Sequence, residues 1–158
     1  VELHLLAIGK LRPSYREACD DYLRRLGRYL KVRELELREA SRAPSVEAQR
    51  AEEAERLLER LPPGSRLVAL ARQGTLWSSE ELARQVDRWK REARPVALAI
   101  GGSQGLSPEL LGRAADRWSL GPLTLPHELA RVIVMEQLYR ACTILRGEPY
   151  HKGAGTRE

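Results

Sequence analysis

Only two cysteines occur in the 158-residue sequence, Cys19 and Cys142. They are too few for a disulfide framework and too isolated for a metal knuckle, so both read as small buried hydrophobes. The three histidines, His4, His127 and His151, are equally scattered. With no C-x-x-C or H-x-x-x-H pair, no metal site is expected. No apolar stretch approaches the ~18 residues of a membrane span. The opening "VELHLLAIGKLR" has no basic region before its apolar run and no small-residue cleavage site after it. It reads as a first strand rather than a signal peptide, and the expected location is the cytoplasm, away from membranes. Lysine is scarce as well, 4 residues against 23 arginines.

That arginine excess sets the net charge at +5 and the isoelectric point near 9.6. A guanidinium grips phosphate with a planar fork, so the balance is compatible with a nucleic-acid partner. The same bias follows equally from a GC-rich genome or from adaptation to heat. Hydrophobic residues at 42% and charged residues at 31% describe an ordinary globular chain, and its length suits one domain over residues 1–158. The one loosely composed segment is the end, 152–158, which reads as a flexible tail.

Glu2 to Gly9 is a short apolar run ending in glycine, and Ser14 to Leu30 carries apolar residues at helical spacing. "RELELRE", Arg33 to Glu39, alternates strictly and predicts a strand with one wet face near a sheet edge. Ser45 to Leu61 is a charged amphipathic helix stopped by Pro62-Pro63-Gly64. The strand-helix pattern then repeats with "RLVALA" (66–71), a helix from Ser79 to Ala93 and "PVALAI" (95–100). Continuous apolar strands separated by helices predict an α/β fold, an open parallel sheet covered on both faces. Ligands in such sheets bind beyond the carboxyl ends of the strands. Three loops leave there: Ala71 to Trp77, Gly101 to Ser107, and Leu120 to Pro126.

The middle loop reads "AIGGSQGLSPELL" and satisfies G-x-S-x-G, the nucleophile elbow of serine hydrolases. In a true elbow the helix starts on the residue after the serine. Here Ser107-Pro108-Glu109 supplies an N-cap, a proline at the first helical position and an acidic first turn, so the helix starts near residue 108. Ser103 sits four residues too early. Partners for it would be Asp116, after two alanines at what reads as a helix end, and His127 or His151. The loop also lacks the G-x-G-x-x-G and G-K-[ST] patterns of phosphate cradles. It reads better as glycines that let a flat ligand approach bare backbone.

"IGGSQGLSPEL", followed by "WSLGPLTLPHELARVIVMEQLYRACTILRGEPYHK", resembles the bacterial ribosomal large-subunit methyltransferase H family of the SPOUT superfamily. The likeness extends through "LHLLAIGK", "DYLRRL" and "RLVALARQGTLWSSEELA". It implies a parallel sheet whose C-terminal part forms a trefoil knot, and a homodimer with the site completed across the interface. The implied activity is methyl transfer from S-adenosylmethionine to N3 of a pseudouridine, position 1915 in helix 69 of 23S rRNA, with the assembled ribosome as partner. The cofactor positions carried over by the resemblance are Leu70, Gly101, Gly102 and the segment Leu120, Gly121, Pro122, Leu123, Thr124 and Leu125. Pro122 replaces a residue that is small in relatives.

Methylating N3 requires loss of its proton, and a nearby cation lowers the cost of the resulting negative charge. The basic or acid-base groups at family-matched positions are His127, Arg131, Arg140, Tyr150, His151 and Lys152. Of these the "PYHK" end is expected to face substrate, with His151 as proton acceptor or as donor to a base carbonyl. Relatives usually carry arginine where Lys152 stands and end soon after. Trp118 reads as a packed core aromatic rather than a stacking platform. The near-continuously apolar helix Pro126 to Arg146 calls for cover on several sides, its own sheet on one and a second copy on another. A non-catalytic RNA-binding module is the alternative reading, and a hydrolase using Ser103 the weakest.

Overall fold

Residues 1–152 of the chain are described by a computed structural model. The strands β1 (Glu2–Ile8), β2 (Lys31–Leu37), β3 (Arg66–Leu76), β4 (Val96–Ile100) and β5 (Asp116–Ser119) form one sheet in the order β2-β1-β4-β3-β5. Every adjacent pair is parallel. Five helices connect or follow them: α1 (Pro13–Leu26), α2 (Val46–Glu59), α3 (Ser79–Glu92), α4 (Pro108–Arg113) and α5 (His127–Leu145).

Strand periodicity decides which helices go where. Leu3, Leu5, Ala7, Leu98 and Ile100 point to one face, where they pack with buried residues of α1, α3 and α5. Their neighbours Leu6, Ile8, Ala97 and Ala99 point to the other, under α2 and α4. Side chains of β4 thus alternate large toward the three-helix layer and small toward the two-helix layer. The covered parallel sheet expected from the apolar runs is present. Ser107 caps α4 ahead of Pro108 as read, and serines cap two further helices: Ser45 caps α2, and Ser78 forms a capping box with Glu81 on α3.

Four boundaries differ from the sequence reading, each for a physical reason. Helix α1 ends at Leu26, not Leu30, because Gly27 closes it; Leu30 remains buried in the following turn and so prolonged the apolar pattern. Strand β2 starts two residues earlier than predicted, and its alternate face is not wet. Glu34 and Glu36 turn toward Arg16 of α1 and Arg131 of α5. Ala71 to Leu76 is not a loop but the second part of β3. Asp116 is not a helix end but the first residue of β5, where it accepts a hydrogen bond from Arg66 at 2.8 Å.

Trp118 is buried as expected, with Trp77 at 5.9 Å between ring centroids and Trp89 a further 6.5 Å from Trp77. The two cysteines are buried, and desolvation pushes each thiol up to about 11. Among the described residues no helix is long and apolar enough to cross a membrane.

Candidate active site

Register brings the three candidate segments to one rim. Ala69 pairs with Ala99 on β4 and with Arg117 on β5. Leu70, Gly101 and Leu120 therefore lie one, two and three residues beyond the same row of the sheet, on adjacent strands spaced roughly 4.8 Å apart.

The loop after β4 is defined by its backbone. Gly102 and Gly105 form an isolated antiparallel bridge, with Gly105 N–H donating to the Gly102 carbonyl at 3.1 Å. The turn folds so tightly that a Cβ on Gly101 would stand 2.8 Å from the Gly105 carbonyl carbon. A Cβ on Gly102 would meet the Ile8 Cγ2 at 3.1 Å. Neither glycine adopts positive φ; closeness, not conformation, demands them. From the two-helix side, Arg50 Nε of α2 donates to the Gln104 carbonyl at 2.6 Å and pins the tip. Ser103 is exposed and makes no side-chain hydrogen bond among the described residues. Its would-be partner Asp116 opens β5 in the row of Val68 and Leu98, below the rim and two strands from Ser103's own, where it is held by Arg66, so no serine triad assembles with it.

The β3–β5 pair supplies the second wall. Pairing slips between Leu70 and Thr75, both of which stand opposite Trp118. Gly74 permits this: a Cβ there would lie 2.6 Å from the Arg117 carbonyl oxygen. Ser119 then accepts from Gly121 N–H at 3.1 Å and donates to the Arg72 carbonyl at 2.9 Å, tying the bulge to the start of the 120–126 segment. Leu70 and Leu120 pack against the core, while Pro122, Leu123 and Thr124 are exposed, Leu123 to 75%. Leu125 is half-buried. An apolar wall beside bare backbone, without a cluster of phosphate-gripping arginines in the loops, suits an uncharged flat ring better than a phosphate.

At the C-terminal end a polar network docks Tyr150 and His151 on α5 and α3. Glu136 is its hub, accepting from Tyr150 Oη at 2.8 Å, Arg140 Nε at 3.0 Å and, through its other oxygen, Gln137 Nε2 at 2.7 Å. The Arg140 guanidinium also covers the Tyr150 ring, 4.8 Å from its centroid. His151 contacts Arg140 Nη1 through Nδ1 at 3.0 Å and Glu80 Oε2 through Nε2 at 2.8 Å. Burial, reinforced by the hydrogen bond to Glu136, drives the Tyr150 phenol well above its ordinary value, so it stays protonated and donates to Glu136.

The remaining sequence candidates separate. Arg131 is 1% exposed and donates to Glu36 and to the carbonyls of Ile8 (3.2 Å) and Gly9 (2.9 Å). It clamps the end of β1 to α5 and does not reach solvent. His127 opens α5 half-buried, and Lys152 is exposed; neither makes a side-chain hydrogen bond among the described residues. The flexible tail expected from residue 152 lies, beyond Lys152, outside the described residues. Sequence reasoning missed Arg50, Gly74 and Glu80. Gly74 lay in what read as a loop, where a glycine is unremarkable.

A model of the family described as "Predicted SPOUT methyltransferase" matches residues 1–151. The chain is 44% identical over 155 residues to the ribosomal RNA large subunit methyltransferase H of Pseudomonas aeruginosa strain UCBPP-PA14. It is 47% identical over 153 residues to the protein of the same name from Anaeromyxobacter sp. strain Fw109-5. Each match takes in 96% of this chain and 100% of the relative. Among solved structures, a probable methylase family protein from Haemophilus influenzae Rd KW20 is similar with a TM-score of 0.55 at 17% identity, over 96% of this chain and 70% of that one. A probable methyltransferase from Bordetella pertussis Tohama I gives 0.54 at 17%, over 89% and 95%. At such identity these two likenesses concern the fold alone.

Proposed function

The chain belongs to the SPOUT methyltransferase family, and from that premise we propose that it methylates N3 of the helix 69 pseudouridine in 23S rRNA, using S-adenosylmethionine, on the assembled ribosome in the cytoplasm. The observation that carries this reading is the match, end to end, to relatives named for large-subunit rRNA methylation. The bare-backbone loop and apolar wall at one rim support it.

Leu70, Gly101, Gly102 and the segment from Leu120 to Leu125 would hold the cofactor, which when bound supplies an electrophilic methyl on a sulfonium. Gly101 and Gly102 keep side chains out of its cradle; Leu120, Leu123 and Leu125 offer apolar surface to an adenine. Arg140 faces the negative charge that spreads over the carbonyl oxygens as N3 loses its proton, a contribution of roughly a few kcal/mol where water is excluded. His151 takes that proton or donates to a carbonyl, exchanging one of its two intrachain partners for the base. Tyr150 donates and orients, and Lys152 adds positive charge beside it; His127, at the opposite end of α5 and roughly 20 Å from Arg140 along the helix, stands next to the 120–126 segment instead.

The chain acts as a single domain and a homodimer, its C-terminal part tied in a trefoil knot. Partly exposed Leu129, Ala130 and Ile133 on α5, outside the packed core, support a two-fold contact there. The test is mass spectrometry of 23S rRNA from a strain lacking its own enzyme and complemented with this chain. The N3-methyl mark is the expected result. A soluble protein that binds S-adenosylmethionine by calorimetry yet leaves no mark overturns it, and one that binds RNA but no cofactor favours the non-catalytic module.

A further inference from the structure

His151 is bracketed by groups of opposite character. A guanidinium has no acceptor, so Nδ1 must accept from Arg140 Nη1, and the ring proton resides on Nε2, where the Glu80 carboxylate accepts it. Glu80 is free for this task because the capping box of α3 uses Ser78 and Glu81 instead. It stands in the first helical turn, where negative charge is favoured. Its carboxyl is held below the usual range, chiefly by the hydrogen bond from His151.

We propose that Glu80 is a positioning residue that locks His151 in the Nε2–H tautomer and keeps Nδ1 as its basic nitrogen. The proposal rests on the reading that Arg140 and His151 face the target base. When Arg140 turns to a carbonyl oxygen of the base, the Nδ1 lone pair it had covered is left facing N3. The N3–H bond breaks and its proton passes to Nδ1; the electron pair left on N3 would form the bond to the methyl group that the cofactor supplies when bound, the S–CH3 bond breaking with its pair staying on sulfur and S-adenosylhomocysteine departing. The imidazolium so formed is paired with Glu80, as in other carboxylate-histidine pairs.

Of the groups around the ring, Glu80 is the carboxylate in contact, on the nitrogen opposite the one Arg140 occupies. Replacing it by glutamine, an amide in place of a carboxylate, should make the enzyme slower and release the fixed tautomer, a combination that simple loss of packing does not produce.

The experiment compares the full chain with Glu80→Gln, His151→Gln and the double variant. Three quantities are read: kcat on ribosomes at saturating S-adenosylmethionine, the cofactor Kd by calorimetry, and the ¹⁵N shifts of His151 in the free protein. Glu80→Gln should lower kcat about fivefold, a modest effect fitting a half-exposed partner, and leave the Kd unchanged. Its ¹⁵N shifts should change from one tautomer to a mixture. In the His151→Gln background it should change nothing further. An equal loss in that background, or an unchanged tautomer, overturns the proposal. If wild type methylates but His151→Gln is fully active, the substrate-facing reading itself fails and takes this proposal with it; if wild type does not methylate, the methyltransferase reading fails first.

Discussion

The loop after β4 and the Tyr150–His151 end are both assigned to the proposed site and are held by different materials. Between Gly101 and Gly105 the contacts are backbone against backbone, fastened by one guanidinium on one carbonyl. At the C-terminal end the contacts are side chain against side chain, with Glu136 as hub and Glu80 at the margin. A backbone-built feature is intolerant of added atoms and indifferent to pH. A network of carboxylates, guanidinium, phenol and imidazole tolerates added volume but fails when a polar atom is removed or a proton count changes.

The largest effect should come from the first half of that contrast. Gly101→Ala places a carbon 2.8 Å from backbone that cannot swing aside, costing about 1–3 kcal/mol; the same energy taken from cofactor binding lowers affinity about 5- to 150-fold. Gly102→Ala meets only the Ile8 side chain at 3.1 Å and should do less harm, whereas Gly102→Val should lose cofactor binding. Thermal melts and calorimetry with S-adenosylmethionine give both readings. A Gly102→Ala more damaging than Gly101→Ala would mean that the loop is not shaped by the Gly101–Gly105 approach.

Arg50→Met comes next. It strands the Gln104 carbonyl without touching the apolar stem of the helix face, and the loss is on the order of 1 kcal/mol. Because Arg50 holds the loop and not the C-terminal network, the cofactor Kd should rise severalfold while kcat at saturation stays near wild type. A fall in kcat with unchanged Kd would place Arg50 with the chemistry and erase the division between the two halves.

The same division explains what the sequence made legible. Glycines crowded after an apolar run announce a place where chain meets chain or ligand, and Ser45, Ser78 and Ser107 announce helix starts, because both signals are local. Arg131, Glu36, Arg50 and Glu80 carry no local signal. Their partners lie 95 residues away for Arg131 and Glu36, 54 for Arg50 and Gln104, and 71 for Glu80 and His151. Charge alternation in β2 looked solvated because nothing nearby in the chain shows that arginines from α1 and α5 arrive over Glu34 and Glu36. The slip in β3 was hidden for a related reason: Gly74 is explained only by Arg117 of another strand. Family resemblance supplied the cofactor segments and the Tyr-His end, which periodicity alone could not assign.

Tyr150→Phe probes the second half more gently. It removes one hydrogen bond to Glu136 and should cost about 0.5–1.5 kcal/mol, with a severalfold drop in kcat and no change in cofactor Kd. The phenol is raised in the folded chain. Its contribution to stability is therefore present below the ordinary tyrosine range near about 10 and is lost as pH rises through and beyond it. Melts in alkaline buffer should show wild type losing stability that Tyr150→Phe lacks from the start, so the two curves converge at high pH. Parallel curves would show that the hydroxyl is not docked on Glu136.

Ser103→Ala should have the smallest effect, and its smallness is informative. The residue occupies the serine position of a G-x-S-x-G pattern, so a nucleophile there would make alanine fatal to activity. The loop instead owes its shape to Gly101, Gly102, Gly105 and Arg50, and the Ser103 hydroxyl is exposed. Removing a solvated hydroxyl from a backbone-held turn changes stability by no more than about 0.5 kcal/mol, and cofactor Kd and kcat should stay within about twofold of wild type, the scale that energy allows. Paired with Gly101→Ala, it reverses the usual order of importance in such a motif: the carbon added at the flanking glycine is disabling, and the oxygen removed from the serine is not. An inactive Ser103→Ala that still binds the cofactor would show that the loop contributes a side chain to the reaction after all.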